Sequence, residues 1–139
     1  MHYALSTTVA AGFDETLAAT RAQLAEVGFG VLTEIDLAGT LKTKLDVDIP
    51  AQVVLGACRP PLAHAALQAE PSIGLLLPCN VVVRAADDGH TIVEAMDPGA
   101  MVAITGNDAL LEVATDARER LARALESLTA SLTAATAAD

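Results

Sequence analysis

Two short apolar runs, each joined to a cysteine and broken by proline, constrain this chain more than any other feature. The first is Leu55-Gly-Ala-Cys58-Arg-Pro-Pro-Leu-Ala, and the second is Ile73-Gly-Leu-Leu-Leu-Pro78-Cys79-Asn80-Val-Val-Val. Proline has no N–H to give a ladder, so each run reads as a strand with a proline at its boundary. Cys58 then ends one strand and Cys79 begins another, and a sheet that pairs them brings both thiols to one edge. Aromatic residues are only 2% against 53% apolar overall, so the core must be built from Leu, Val, Ile and Ala. A chain of 139 residues is long enough to bury such a core as one domain. We expect the core over about residues 3–129 and a frayed tail over 130–139.

The other elements follow from local signals. Residues 3–10 alternate as a first strand. Asp14 is a helix N-cap with Phe13 as its staple, and the helix carries Leu17, Leu24 and Val27 as far as Gly28. Phe29 to Ile35 is a second strand. Asp36 caps a short helix with Leu37, Leu41 and Leu45 on one face and Lys42 and Lys44 exposed, and Pro50 ends that unit. Residues 51–58 form a third strand. Pro60-Pro61 opens a helix that Pro71 closes. Residues 79–86 and 90–96 flank the turn Asp87-Asp88-Gly89, a hairpin signal, and Asp97-Pro98-Gly99 stops the last strand. A long helix runs from Asn107 or Asp108 to about Thr129. Its apolar face is Leu110, Ala114, Ala117, Leu121, Leu125, Leu128 and Leu132, with the pairs Asp116–Arg120 and Glu119–Arg123 opposite. The fold class is α+β: a mostly antiparallel five-stranded sheet with helices packed on one face.

Charge and composition exclude several functions. A net charge of −10 opposes phosphate backbones, and three aromatic residues offer no platform for bases, so nucleic acid is not a partner. The longest uncharged run, residues 71–83, is shorter than the ~20 apolar residues of a spanning helix. The N-terminus has no basic region ahead of an apolar stretch, which points to the cytoplasm, where two cysteines remain thiols.

Five ordered motifs resemble the domain of unknown function 302 family and together cover about residues 12–128. They are Gly28-Phe-Gly-Val-Leu-Thr-Glu-Ile-Asp36, Leu41-Lys42-x-Lys44-Leu45, Leu55-Gly-Ala-Cys58-x-Pro60, the segment Glu70 to Val83, and Glu94-Ala-Met-Asp97-Pro98. The resemblance implies a TATA-binding-protein-like fold of β-α-β(4)-α type, here with short extra helices, and a homodimer. It implies no established activity and no cofactor. The apolar surplus of the composition also suits an isologous two-fold dimer.

The candidate ligand-binding residues are Cys58, Arg59, Cys79, Asn80, Glu34 and Asp97. Cysteines at strand ends are by default small buried hydrophobes. Arg59 beside Cys58, and the N-terminus of the helix at Pro60, would favour a thiolate, which makes Cys58 the reactive member and Cys79 the packed one. No Cys-x-x-Cys is present, so a thioredoxin-like exchange motif is absent. Cys58 and Cys79 with His64 suit zinc or copper(I), although a closed zinc site needs four ligands. His64, His2 and His90 are otherwise solvated. Glu34, Asp36, Glu94 and Asp97 are acids at strand ends, solvated unless they line a site. Lys42 and Lys44 either receive an anion or form a solvated face. Asn80 opens an apolar strand and would join the thiols as the polar wall of a pocket. Gly28-x-Gly30 precedes a strand, the wrong context for a dinucleotide loop, and no catalytic set is visible. The leading functional reading is a small-molecule or anion-binding module, non-enzymatic or auxiliary to an enzyme system. A thiol-dependent redox or sulfur-handling protein and a metal binder are the alternatives.

Overall fold

The structure, a computed structural model, describes residues 3–138; His2 lies outside them. Along the chain run β1 (Ala4–Val9), α1 (Phe13–Glu26), β2 (Gly30–Asp36), α2 (Leu37–Leu45), β3 (Gln52–Cys58) and α3 (Pro60–Ala69). A 3₁₀ turn over Pro71–Leu76 leads to β4 (Cys79–Ala85) and β5 (Thr91–Met96). Then come α4 (Gly99–Thr105), a second 3₁₀ turn at Asp108–Leu110, and α5 (Leu111–Ala138). The five strands form one sheet in the order β1-β5-β4-β3-β2, and every neighbouring pair is antiparallel. This is the expected α+β arrangement, with the antiparallel pairing complete.

Strand alternation decides what each face carries. Val53, Leu55 and Ala57 of β3, Val81 and Val83 of β4, and Val93 and Ala95 of β5 are buried in one cluster with Leu24 of α1 and Leu121, Leu125 and Leu128 of α5. The intervening Val54, Val82, Arg84, Ile92 and Glu94 are only half-buried, on the opposite face. A second, smaller core joins Ala66 of α3, Ile73, Met101 of α4, Leu110 and Ala114. All seven residues of the expected α5 stripe are buried. The Asp116–Arg120 pair forms at 2.6 Å, whereas no ion pair joins Glu119 and Arg123 among the described residues.

Several local expectations are corrected. Helix α1 starts two residues earlier, at Phe13, with Gly12 at the cap position and no side-chain cap. Asp14 lies in the first turn, where a carboxylate favours the helix dipole without accepting a cap bond. Gly28 does end that helix, at φ +85, with the Phe29 N–H donating to the Leu24 carbonyl at 2.9 Å. Asp36 caps α2 by accepting from the Gly39 N–H at 2.9 Å. Helix α5 continues past Thr129 to Ala138, because its Ala- and Thr-rich end contains no Gly or Pro to stop it. The segment after Asp97-Pro98 is more than a stop. The Asp97 carboxylate accepts from the Gly99 N–H at 2.9 Å, and α4 follows up to Gly106 at φ +66. Helix α2 contributes no buried residue to either core. Its Leu37, Leu41 and Leu45 face has no buried member, and Leu45 is 65% exposed.

Candidate functional site

The β3–β4 ladder pairs Ala57 with Cys79, which puts Cys58 one register step from Cys79 on the neighbouring strand. Both thiols are free, and both line one recess between the sheet, α3 and α5. Arg59, Leu62, Ala66, Met101 and Ala117 are among the other residues of its wall. The recess has room for about 20 Å³ of solvent. That accommodates one water-sized group and no more.

Arg59 is the polar feature of this recess. Its Nε is buried with no hydrogen-bond partner, and its side chain forms no ion pair among the described residues. The guanidinium lies over Gly28, where an added Cβ would come within 3.0 Å of Nη1. Gly28 thus serves twice, as a helix stop and as the floor on which Arg59 rests. A buried donor without an acceptor costs about 1–3 kcal/mol, so this atom is one for which a small acceptor would be favourable.

The start of α3 contributes less than its position suggests. Pro60 and Pro61 have no N–H, and the N–H groups of Leu62 and Ala63 both donate to the Arg59 carbonyl at 3.0 Å. No free N–H of that first turn is left for a thiolate, so any positive field at Cys58 comes chiefly from Arg59. Cys79 is buried, and its thiol is pushed up from 9.0 to about 11, first by desolvation and second by the charge of Cys58. It stays protonated at neutral pH. Cys58 is the half-buried member of the pair.

The remaining expected site residues do not join this recess. Asn80 is exposed on the opposite face of the sheet, because it follows the inward-facing Cys79 and side chains alternate. Glu34 pairs with Arg21 of α1 on the protein surface. Asp97 accepts from Gly99 N–H and from Arg118 Nε at 3.1 Å, which ties the end of β5 to α4 and α5. His64 is exposed on α3 and does not line the recess, and His90 is exposed after the hairpin turn. Among the described residues no group of three or more His, Cys, Asp or Glu side chains could hold a metal ion. Lys42 pairs with Asp46 at 2.9 Å and Asp48 at 3.3 Å. Glu94 pairs with Arg84 at 3.0 Å. These two lie beside Asn80 in a shallow groove of about 320 Å³ on the opposite sheet face. Sequence reasoning missed that groove; its one signal was the alternation that sends Asn80, Val82 and Arg84 to the face away from the core. Among the described residues no helix is long and apolar enough to cross a membrane.

Comparison with known proteins agrees with this architecture. A family profile described as domain of unknown function DUF302 matches residues 5–128. A solved structure, an uncharacterized conserved DUF302 protein from Bacillus stearothermophilus, is similar over 91% of this chain and 98% of its own. The two share 30% sequence identity with a TM-score of 0.83. No curated protein matches the chain.

Proposed function

The chain belongs to the domain of unknown function 302 family, and we propose that it is a homodimeric binding module that holds a small anion, or one anionic group of a larger molecule, beside Arg59. The observation that carries this reading is the buried, unpartnered Nε of Arg59 in a recess lined by two thiols. Among the described residues, exposed Arg123 and Lys44 also lack a carboxylate, but water serves them; the Nε of Arg59 is buried, and its missing acceptor needs a reason. A small anion supplies one, since charge-assisted hydrogen bonds to guanidinium are the strong kind. The recess volume of about 20 Å³ limits the ligand at that point to one water-sized atom or group.

Thermal unfolding against a panel of chloride, sulfate, phosphate, bisulfite and hydrosulfide tests this. A ligand at 100 times its Kd stabilises by about 2.7 kcal/mol, or roughly 5–10 °C for a domain of this size. The gain is expected for at least one anion in the wild type and is lost in Arg59→Gln. No shift with any anion, or an equal shift in the variant, overturns the reading.

A thiol-dependent function is the second reading, favoured by one observation. Cys79 is held protonated while the half-buried Cys58 shares its recess, which leaves Cys58 as the nucleophile. Iodoacetamide should then modify Cys58 well before Cys79 in the folded protein. Metal binding by the same two thiols lacks a third His, Cys, Asp or Glu beside them among the described residues.

A further inference from the structure

Ten large hydrophobic side chains are exposed among the described residues, and five of them, Leu32, Ile35, Leu45, Val47 and Ile49, fall on the arm formed by β2, α2 and the segment leading to β3. From Lys42 to Pro50 every residue is exposed. Leu45, Val47 and Ile49 alternate with Asp46 and Asp48, the pattern of a half-buried extended segment, yet this segment belongs to no strand. Strand β2 is also an edge of the sheet, bulged between Val31 and Thr33. A segment patterned for burial with nothing of its own chain over it requires a cover.

We infer that this cover is the same arm of a second copy of the chain, packed across a two-fold axis; the inference rests on the homodimer reading above and names its surface. Charge selects the partner. The chain carries −10, so two copies repel overall. Across β2, α2 and the segment to Ile49, however, Lys42 and Lys44, the chain's only two lysines, offset Asp46 and Asp48, and Arg21 pairs with Glu34, which leaves Asp36 as the one unbalanced charge. Lys42 is engaged by both aspartates of its own chain, while Lys44 has no ion-pair partner among the described residues. An axis that sets Lys44 of each copy against Asp46 and Asp48 of the other makes the interface self-complementary. The area is adequate too. With exposures from 36% for Ile49 to 65% for Leu32 and Leu45, the five apolar side chains offer on the order of 400 Å², about half of the ~800 Å² each partner gives to a standard interface.

The test is sedimentation of the full chain from 1 to 100 µM. Wild type is expected at twice 14.2 kDa. The double variant Leu45→Glu/Ile49→Glu should keep its circular dichroism and weaken the dimer roughly 100-fold or more, the effect of removing two apolar anchors. Charge reversal gives a second readout. Lys44→Glu and Asp46→Lys/Asp48→Lys should each dissociate alone and form a heterodimer when mixed, because only the mixture restores opposite charges at both contacts. Wild type found only at 14.2 kDa overturns the inference together with the homodimer reading. A wild-type dimer unaffected by the apolar pair, or charge variants that fail to recombine, overturns this surface and leaves homodimerisation standing.

Discussion

The raised thiol of Cys79 makes stability fall with alkaline pH, and replacing it with alanine should remove that dependence. Cys79 is 6% exposed, and its thiol titrates at about 11 in the fold against 9.0 without it. Between those values the folded chain holds a proton that the unfolded chain has released. The unfolded state therefore binds fewer protons, and stability drops as pH rises through that window. At about 1.4 kcal/mol per unit the limit is close to 3 kcal/mol, and by pH 10.5 roughly 2 kcal/mol is lost. Below pH 9 the contribution is intact. Cys79→Ala loses a packed sulfur, which costs about 1 kcal/mol at pH 8. By pH 10.5 the variant should equal or exceed the wild type, since it has no buried thiol to ionise. Urea unfolding of both proteins at pH 8 and pH 10.5 reads the difference. A stability gap that stays constant across the two pH values refutes the reasoning. Cys58→Ser is the companion variant. Burial is the first cause of the shift and the Cys58 charge the second, so most of the alkaline loss should survive in it.

Two further outcomes follow from packing. Gly56 sits where a Cβ would collide with Thr33 Oγ1 and come within 2.8 Å of Pro78 Cγ; Gly56→Ala should therefore cost about 1–3 kcal/mol in urea unfolding, and adding Thr33→Ala should recover part of it, because one of the two obstacles is gone. Leu121 is 1% exposed between the sheet and α1; Leu121→Ala should cost about 2–5 kcal/mol, whereas Leu45→Ala, at a position 65% exposed, should leave protomer stability within about 0.5 kcal/mol.

Much of the fold is legible without coordinates because its signals are local. The stripe from Leu110 to Leu132 repeats at the helical period, and every member is buried where the period places it. Asp87-Asp88-Gly89 turns the chain with Asp88 and Gly89 both at positive φ, as the hairpin signal requires. The neighbourhood of Cys58 and Cys79 is readable for the same reason: one strand ends and the next begins on either side of a proline-opened helix, and antiparallel pairing of the two leaves little other choice. The short α4 is the counter-example. Asp97-Pro98-Gly99 signals a stop and a helix entry alike, and only the burial of Met101 decides for the helix.

The candidate site was less legible, since it depends on which side of the sheet each residue faces and on what lies opposite. Asn80 adjoins Cys79 in the chain and yet faces the other way, because covering the helix side with Cys79, Val81 and Val83 commits Asn80, Val82 and Arg84 to the far side. Glu34 and Asp97 have acid chemistry in the sequence and structural partners, Arg21 and Arg118, only in three dimensions. The seat of Arg59 over Gly28 joins positions thirty-one residues apart, and nothing at either position announces it. Helix α2 shows the division most sharply. Its Leu37, Leu41 and Leu45 period determines that a helix forms and which face is apolar. Whether that face enters the core depends on whether another element of the same chain reaches it, and among the described residues none buries it. Periodicity is a property of neighbours in sequence; burial is decided by elements far apart in the chain, and so by the tertiary structure alone.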